Sequence, residues 1–426
     1  TNSIISDNDI GPGAEGGGIR ALYSGTILDI YNCTITNNSA NGIYGRDAST
    51  INVYNSILYN NGPDGNNQIE NGGFIRNIFY SLIGGGYSGT NVIDADPLFT
   101  GNADTPFSLQ DYSPCIGAGL DTTIVPPTDI KGNPRPNPAG SNPDMGAYEN
   151  TLAAPRHNSF VHVSTTGDDN GSLGLESAPF ATIQAAINYS VDGDTILLSP
   201  GTYYENINFN GKDVVLSSLY LTTLDRGYIS QTIVDGFESG CVFVFENGEN
   251  SATLNGLTIR NGSGEYPASG SAVITGGGIT CWMSSPILSN LIIENNHTNW
   301  YGGAIHISDH SNPLVINCIV RGNSANNTGG GFSCTSTDSL KIINSLFVAN
   351  SSMSGSALEL QGGAKGIIVN STFYGNQASG RGATQVGFGA DVDMINSIVW
   401  NNSTPQLSFY DFSSTSYLNI SHCDIE

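Results

Sequence analysis

Short apolar runs alternate with clusters of Gly, Asn, Ser and Asp along most of the chain. After Asn290, for example, the runs fall at residues 291–293, 304–307 and 314–316. Each run has the length of a short β-strand, and these windows lack the apolar spacing of a helix. The pattern predicts three short strands per sequence unit. It excludes ankyrin, tetratricopeptide and HEAT repeats, which need longer helices.

A pair of asparagines six positions apart recurs every 26 or 27 residues between positions 290 and 402. A period of this length is typical of a repeat architecture, and three strands with three turns fill it. The sequence therefore predicts coils of a parallel β-helix, stacked about 4.8 Å apart. The predicted structural ladder consists of Asn290, Asn317, Asn344, Asn370 and Asn396, followed by Asn296, Asn323, Asn350, Asn376 and Asn402. Earlier pairs are Asn2/Asn8, Asn32/Asn38, Asn55/Asn61 and Asn255/Asn261.

Asparagine suits these positions for two reasons. It tolerates the left-handed backbone of a tight turn, and its amide can donate to one neighbour and accept from the other in a stack of turns. We therefore interpret the asparagines as part of the scaffold and not as a catalytic motif.

The composition is that of a turn-rich β protein. Of 426 residues, 54 are Gly, 12% are charged and 38% are hydrophobic, which does not fit a disordered chain. The formal net charge of −24, with only 13 Lys and Arg, argues against nucleic acid or an anionic membrane surface as a partner. No run of about 18 apolar residues is present, so the sequence predicts no membrane insertion.

The seven cysteines do not form the pattern of a disulfide framework. Cys281 and Cys334 take the same position in units two coils apart, which separates them by roughly 9–10 Å. This exceeds the limit of ~7 Å between the Cα atoms of a disulfide. Cys33, Cys318 and Cys423 each follow a ladder position. We predict buried free thiols.

The order of these segments predicts an all-β protein with two consecutive right-handed parallel β-helices, each having three short strands per coil of 23–27 residues. Residues 1–93 form the last coils of the first β-helix, residues 94–149 an irregular closing segment and residues 150–160 a linker. Residues 161–252 are predicted to hold an N-terminal cap and the first coils of the second β-helix. Residues 253–426 hold its regular coils, which we expect to continue beyond the chain.

One short helix is predicted near the start of the second β-helix. Ser177 is the expected N-cap, Pro179 lies in the first turn, and Phe180, Ile183 and Ile187 form one apolar face. We expect this helix to cap the open end of the second solenoid.

Two segments carry a family resemblance. Residues 161–218 contain Ser-Ala-Pro-Phe-Ala-Thr-Ile-Gln-Ala-Ala-Ile and Gly-Asp-Thr-Ile-Leu-Leu-Ser-Pro-Gly-Thr-Tyr, and resemble the entry of pectin-lyase-like right-handed parallel β-helix proteins. Residues 94–149, with Asp-Ala-Asp-Pro-Leu-Phe, Ser-Pro-Cys and Asp-Met-Gly-Ala-Tyr-Glu, resemble the ending of bacterial secreted and surface β-helix modules. The resemblance covers nearly the whole chain. It implies the fold but no single activity, because lyases, hydrolases, adhesins and phage spikes share this fold.

The two predicted β-helices also match each other. His422 corresponds to Tyr80, which lies just before the closing segment, and the offset is 342 residues. We therefore expect a tandem array in which a longer parent polypeptide resumes after Glu426 with a second closing segment.

One aligned column is a candidate for catalysis. Thr280, His306, Ser333, Glu359 and Gln385 follow the Gly-rich turn of successive coils, and we expect them to face outward. The resemblance implies that substrate lies along the corresponding face. Glycoside hydrolysis needs two carboxylates about 5–9.5 Å apart, and this column supplies one. We interpret His306 and Glu359 as ordinary exposed residues.

A cluster of aromatic and polar residues on one edge suggests glycan binding. An insertion between two coils carries Glu265 and Tyr266, and the next coil carries His297, Trp300 and Tyr301 on the same edge. Exposed aromatic rings beside polar groups can stack on sugar rings. The alternative is that the loop packs its own aromatic residues against the sheet. The candidate ligand-binding residues are therefore Glu265, Tyr266, His297, Trp300, Tyr301, His306 and Glu359.

No motif predicts a cofactor, although several acidic pairs permit Ca²⁺. None of them has the full ligand pattern of a calcium-binding loop, and turns explain them equally well. These pairs are Asp7/Asp9, Asp94/Asp96, Asp168/Asp169 and Asp192/Asp194. The scattered charges of the closing segment are interpreted as ion pairs of an irregular cap. They are Asp129, Arg135, Asp144 and Glu149.

Together these features predict a secreted or cell-surface, non-enzymatic tandem β-helix protein. It would act as an adhesin, stalk or structural element, and its partner would be an extracellular glycan or neighbouring copies of itself. The alternative is a polysaccharide lyase or glycoside hydrolase acting on an extracellular polysaccharide. End-to-end assembly into a filament is a third hypothesis.

Overall fold

The computed structural model describes residues 1–426 except 11–16, 64, 66, 71–74, 171, 265–275, 336–337 and 412–413. It is an all-β, right-handed parallel β-solenoid of about 15 turns. The predicted parallel β-helix is therefore confirmed. Two compact units make up the chain, Thr1–His157 and Asn158–Glu426.

The described strands of the first unit form three parallel sheets. One sheet contains β1 (Ile4–Ser6), β4 (Thr34–Thr36), β7 (Ile57–Tyr59) and β9 (Leu82–Ile83). Another contains β3 (Ile27–Tyr31), β6 (Thr50–Tyr54) and β8 (Ile75–Phe79), and a third contains β2 (Ile19–Ala21) and β5 (Ile43–Gly45). Residues 94–149, all of which are described, contain isolated bridges and turns but no strand.

Four parallel sheets, which we call A to D, form the described part of the second unit. Sheet A contains β10 (Phe160–Val163), β11 (Thr195–Leu198), β14 (Val215–Ser218), β17 (Thr253–Asn255), β20 (Ile287–Ser289), β24 (Leu314–Ile316), β28 (Ser339–Ile343), β32 (Lys365–Val369), β36 (Asp391–Ile395) and β39 (Tyr417–Ser421). Sheet B contains β12 (Gly201–Tyr204), β15 (Thr232–Asp235), β18 (Thr258–Arg260), β21 (Ile292–Glu294), β25 (Ile319–Arg321), β29 (Leu346–Val348), β33 (Thr372–Tyr374), β37 (Ile398–Trp400) and β40 (Asp424–Ile425).

Sheet C contains β13 (Ile207–Asn208), β16 (Phe243–Phe245), β19 (Ile279–Trp282), β23 (Ile305–Ser308), β27 (Phe332–Cys334), β31 (Leu358–Leu360), β35 (Thr384–Gly387) and β38 (Leu407–Tyr410). Sheet D contains β22 (His297–Thr298), β26 (Ser324–Ala325), β30 (Ser351–Ser352) and β34 (Gln377–Ala378). Four coils thus have a fourth, two-residue strand that the sequence pattern did not predict.

The core of the second unit is built from identical inward positions of successive coils. Val320, Phe347 and Phe373 are register partners on β25, β29 and β33, and all three are fully buried. The rings of Phe347 and Phe373 stack with their centroids 4.8 Å apart. Because each coil presents its apolar side chains to the next, burial accumulates along the axis and no single coil is stable alone.

The first asparagine of each pair sets the turn between sheets A and B. Asn317, Asn344 and Asn370 have φ angles of 56°, 51° and 52°. Asparagine occupies this left-handed region at lower cost than most residues. Tyr80 and His422, which take the same position in their coils, have φ angles of 47° and 56°.

The second asparagine of each pair forms a buried amide ladder. Asn296, Asn323, Asn350 and Asn376 each donate from Nδ2 to the Oδ1 of the next ladder residue, at 2.8–3.0 Å. Each Oδ1 also accepts the backbone N–H of the preceding ladder residue, so the amides hold adjacent coils in register. Asn402 closes the series by donating to Gln406 Oε1 at 2.8 Å.

One predicted pair, Asn255/Asn261, is displaced by one residue. Asn255 is the register partner of Ser289, and Gly256, with φ +67°, takes the turn position instead. Gly262 takes the ladder position, and its N–H donates to Asn296 Oδ1 at 2.9 Å. The assignment of this pair to the ladder is therefore wrong.

The predicted helix exists but begins later than expected. Helix α1 (Ile183–Tyr189) has Thr182 as its N-cap, whose side chain accepts from the N–H of Ala185. The prediction of Ser177 as N-cap is therefore wrong. Ile183 and Ile187 are fully buried, as the apolar face predicted. Two further short helices, α2 (Tyr220–Thr223) and α3 (Gly227–Gln231), were not predicted.

The sequence predicts free thiols and no membrane insertion. All seven cysteines are free, and six are buried. Across the described residues, no helix has the length and apolar character needed to cross a membrane.

Candidate functional site

The polar column, Thr280, His306, Ser333, Glu359 and Gln385, is buried and not exposed. These residues are register partners on consecutive strands of sheet C. The exposed fraction of each is 3% or less. The interpretation of His306 and Glu359 as exposed residues is therefore wrong.

The turns that lead from sheet D into sheet C cover the polar column. The ring of Tyr301 lies over the imidazole of His306, with centroids 5.7 Å apart and 24° between the planes. Gly355, with φ +59°, passes so close that an added Cβ would lie 2.8 Å from the Cβ of Glu359. Because glycine has no side chain, these turns can lie directly on sheet C.

Burial leaves some polar atoms of this column without hydrogen bonds, and it shifts the pKa values of His306 and Glu359. His306 Nδ1 and Ser333 Oγ have no hydrogen-bond partner among the described residues. Desolvation lowers the pKa of His306 to about 4. It raises the pKa of Glu359 to about 7, against the opposing effects of Thr328 and Arg381. Both side chains are therefore mainly neutral between these two values.

This arrangement does not by itself provide glycosidase chemistry. Glu359 is the single carboxylate of the polar column, and a hydrolase of this type uses two. With an exposed fraction of 1%, Glu359 also cannot contact a polymer in solvent unless the covering turns move.

We call His297, Trp300 and Tyr301 the aromatic edge. Trp300 is exposed, whereas Tyr301 is packed. Trp300 is 58% exposed, and its ring centroid lies 6.5 Å from that of Tyr301. Tyr301 instead packs on the polar column, as the alternative interpretation of this loop expected. His297 is exposed. Glu265 and Tyr266, which were predicted to join this edge, lie outside the described residues.

A shallow polar groove of about 510 Å³ runs across sheet D. Ser324, Ser351, Gln377 and Met353 are among its lining residues. His297 adjoins it, because its Nδ1 lies 2.9 Å from Ser324 Oγ. The groove offers hydroxyl and amide groups, and the exposed part of Met353 is its main apolar contact.

The outward side of sheet B carries two columns of residues, because alternate residues of a strand point to the same face. One column is apolar except for one threonine, and the other changes from charged to aromatic along the axis. We call these ten residues the lateral face: Ile292, Ile319, Leu346, Thr372 and Ile398 in the first column, and Glu294, Arg321, Val348, Tyr374 and Trp400 in the second.

A lateral groove of about 420 Å³ lies along the first column of this face. Arg226 and Ile229, from the α2–α3 segment, line this groove. Asn290, Asn317 and Asn344 line it as well, together with apolar residues of the first column. The turn asparagines thus present equivalent amides at each coil, about 4.8 Å apart, beside an exposed guanidinium.

An aromatic pair lies further along the same face. Tyr374 and Trp400 are register partners on β33 and β37, and they are 46% and 43% exposed. Aligning the coils would have found this pair, since the same column contains Glu294 and Arg321. These two residues form an ion pair with a distance of 2.5 Å. The α2–α3 side of the lateral groove has no counterpart in the repeat pattern and was missed.

The charges of the closing segment form a buried network. Arg135 Nε lies 2.7 Å from Glu149 Oε2, and both side chains are fully buried. Asp144 accepts the N–H groups of Gly117 and Asn150, and desolvation, followed by repulsion from Glu149, raises its pKa to about 7. The network is internally paired, as the interpretation of these charges as ion pairs of a cap expected.

The acidic pairs are mostly bonded to backbone N–H groups. Asp169 Oδ1 accepts from Ala181 and Thr182, and Asp94 Oδ1 accepts from Gly85. Among the described residues, no group of three or more His, Cys, Asp or Glu is placed to hold a metal ion. Calcium binding stays a prediction.

Comparisons with known proteins give no family. No protein-family model and no curated protein matches the chain. Among solved structures, the pectate lyase Pel9A is 15% identical with a TM-score of 0.39, covering 63% of this chain and 79% of its own. A pectin methylesterase from Aspergillus niger is 11% identical with a TM-score of 0.33, covering 64% and 87%. A mutant of the PL6 family alginate lyase AlyGC is 12% identical with a TM-score of 0.30, covering 94% and 58%.

Proposed function

We propose that this protein is a secreted or surface-exposed solenoid that binds an extracellular polysaccharide along its lateral face without cleaving it. The aromatic pair carries the proposal. Tyr374 and Trp400 lie exposed on adjacent coils of the lateral face, beyond the coils that line the lateral groove. Exposed aromatic rings supply apolar surface for the faces of sugar rings, and nearby amides can bond their hydroxyl groups.

The regular rise of the coils supports a polymeric ligand. Asn290, Asn317 and Asn344 repeat the same amide along the lateral groove, at a rise of about 4.8 Å per coil. A chain of sugar units also presents the same groups at regular intervals, so several coils can bind it in the same way. A small ligand would use only one of these positions.

The net charge of −24 limits which polysaccharides can approach. A strongly anionic glycan is repelled at long range, although salt screens this repulsion. Arg226 is the cation that borders the lateral groove. It can pair with an occasional carboxylate or donate to hydroxyl groups.

The first experiment compares the two aromatic sites. Binding of pectins, alginate and common neutral glycans is measured by glycan array and calorimetry for wild type, Tyr374→Ala/Trp400→Ala and Trp300→Ala. We expect the double variant to lose at least about tenfold in affinity and Trp300→Ala to bind as wild type. If Trp300→Ala alone weakens binding, the glycan binds at the aromatic edge instead. If both variants bind as wild type, neither site binds the glycan.

Cleavage of the polysaccharide is the alternative, and Glu359 is the residue that favours it. Its raised pKa would keep a general acid protonated near neutral pH. Release of reducing ends or unsaturated products from the same glycans would reject binding without cleavage. Repeating both assays with a chelator tests whether Ca²⁺ takes part.

A further inference from the structure

One coil in each unit ends the buried amide ladder on a glutamine. Asn61 Nδ2 donates to Gln68 Oε1 at 2.7 Å, and Asn402 Nδ2 donates to Gln406 Oε1 at 2.8 Å. This shared feature matches the coils of the two units to each other. The matched turn positions are Asn32, Asn55 and Tyr80 in the first unit and Asn370, Asn396 and His422 in the second, all with positive φ angles.

In the first unit the closing segment, residues 94–149, covers the outward side of the matched coils. Thr34 Oγ1 accepts the N–H of Ala147 at 3.1 Å. Gly146 crosses Ile57 so closely that an added Cβ would lie 2.8 Å from Ile57 Cδ1. Ile57 is fully buried. The closing segment contributes four residues to the apolar cluster around it, which are Leu109, Cys115, Ile116 and Met145.

The closing segment also binds the turn asparagines of these coils. Asn55 Nδ2 donates to Leu120 O at 2.9 Å, and Asn55 Oδ1 accepts the N–H of Leu120 at 2.8 Å. Asn32 Nδ2 donates to Asp144 O at 3.2 Å. Both asparagines are buried. A turn asparagine can therefore hold the backbone of a segment that lies on the outward side of its coil.

The lateral face of the second unit carries the same groups at the matched positions. Thr34 is in register with Ile57 in the first unit, and Thr372 is in register with Ile398 in the second. Ile398, however, is 45% exposed, and both turn asparagines of these coils are exposed as well. The groups that hold the closing segment in the first unit thus face solvent in the second.

The next coil differs at one position. Leu82, which is in register with Ile57, is fully buried and belongs to the apolar cluster that includes the closing segment. Asp424, which is in register with Ile398, is exposed. A segment bound to the second unit would meet this carboxylate and should therefore carry a polar or basic group there, because burying an unpaired charge is costly.

We propose that the lateral face at β33 and β37 is a docking surface for a polypeptide segment of the closing type. Such a segment presents backbone carbonyls to the turn asparagines, a Gly-Ala step to the threonine and isoleucine, and apolar side chains to the isoleucine. The first unit demonstrates that these groups together hold a segment on matched coils. Backbone hydrogen bonds combined with side-chain contacts are a common mode of peptide recognition.

A docked segment would exclude the glycan from the same face. Tyr59 takes the position of Trp400 in the matched coil and packs, partly buried, against the apolar cluster of the closing segment. Trp400 should be covered in the same way, so that the segment and the glycan compete. This competition rests on the proposed function, whereas the docking itself does not.

Binding of an isolated peptide to the full chain tests the docking. The probe is a fluorescently labelled synthetic peptide with the sequence of residues 94–149, and fluorescence anisotropy measures its affinity for wild type and three variants. We expect Ile398→Lys to bind it at least about tenfold more weakly, because a charge then faces apolar side chains. Asp424→Leu should bind it at least about threefold more tightly, because leucine is the residue of the first unit.

Ile367→Lys is the matched control for Ile398→Lys and should bind the peptide as wild type. It introduces the same charge at an isoleucine of sheet A that is 43% exposed. Circular dichroism and melting temperature establish that every variant folds.

Two peptide variants test whether the segment binds in the same register. Gly146→Ala adds a Cβ at the point where the segment crosses the isoleucine, whereas the Cβ of Gly140→Ala meets nothing within 4 Å. Both glycines have positive φ angles, +95° and +90°, so the backbone strain is alike in the two variants. We expect the Gly146→Ala peptide to bind at least about tenfold more weakly than the Gly140→Ala peptide. Equal affinities would contradict the register.

Absence of peptide binding to wild type overturns the proposal, and so does binding that Ile398→Lys leaves unchanged. Self-association of the full chain that Ile398→Lys abolishes would assign the face to a second copy and also overturn it. Saturating peptide should release a bound glycan, and a glycan that stays bound refutes the competition. If the peptide binds and no glycan does, the proposed function and the competition fail, and the docking stands.

Discussion

The ring of Tyr301 lies over the imidazole of His306, with centroids 5.7 Å apart and planes inclined by 24°. This contact joins a residue expected at a glycan-binding edge to one expected on an exposed column. It makes Tyr301 part of the cover that separates the polar column from solvent. The pKa of His306 therefore reports whether the cover is closed.

Removing this cover should raise the pKa of His306. In the wild type, desolvation lowers that pKa from 6.5 to about 4, although Asp309 acts in the opposite direction. Tyr301→Ala admits water, which solvates the imidazolium and moves the pKa toward its ordinary value. A histidine NMR titration measures it, with His306→Gln to assign the resonance. Tyr301→Phe keeps the ring and should keep the low pKa. An unchanged value in Tyr301→Ala would show that other groups exclude the water.

Glu359→Gln should stabilise the protein above neutral pH. Burial raises the folded-state pKa of Glu359 from 4.5 to about 7, so the folded state binds its proton more tightly than the unfolded state. The free energy of unfolding should therefore fall as pH rises from 4.5 through 7, by on the order of 3 kcal/mol in total. The variant lacks this loss. Urea unfolding at about pH 5 and about pH 8 measures the difference. An equal pH dependence in both proteins contradicts the prediction.

The buried amide ladder should be sensitive to single substitutions. Asn350 Nδ2 donates to Val320 O and Asn376 Oδ1, both at 2.9 Å, and its Oδ1 accepts two bonds from Asn323. Asn350→Ala leaves several buried groups unpaired, which should cost about 3 kcal/mol or more. Asn326 donates to Asn299 at 2.8 Å on the exposed surface. Asn326→Ala, the control, should cost under about 1 kcal/mol. Equal urea midpoints would refute the structural role of the ladder.

The turn asparagines should be required for their backbone conformation. Asn344 has a φ of 51° and an exposed side chain. Asn344→Ala should destabilise the protein by about 1 kcal/mol, because alanine has the Cβ penalty of the left-handed backbone without the local side-chain hydrogen bonding that offsets it for asparagine. Asn344→Gly should be nearly neutral, because glycine has no such penalty. Thermal unfolding distinguishes the two. A glycine variant as unstable as the alanine variant would point to a side-chain contribution instead.

Most of the fold could be predicted because it depends on local sequence. The turn residues Asn317, Asn344 and Asn370 follow from the period alone, and so does the alignment of Cys281, Ile307 and Cys334 in one column. The error at Asn255 arose because glycines occupy both pair positions of this coil, Gly256 and Gly262. The asparagines one residue earlier have the same spacing of six, so spacing alone could not distinguish them from the pair.

The candidate site was harder to predict. Alternation correctly placed His306 and Glu359 on the side of sheet C that faces away from the core. It could not show that turns with glycines at 302, 329 and 355 lie on that side. The position of Arg226 beside the lateral groove also depends on an irregular segment that interrupts the repeat.

The sequence by itself determined the parallel β-helix, the period of its coils and the residues that direct its turns, because these depend on spacing and backbone preference within one repeat. Only the tertiary structure decided which outward residues meet solvent. Exposure depends on what packs over each strand, and the repeat spacing fixes neither the path of the turn before each strand of sheet C nor the position of the α2–α3 segment. The same physical reason buries Glu359 and leaves Tyr374 and Trp400 open to a ligand.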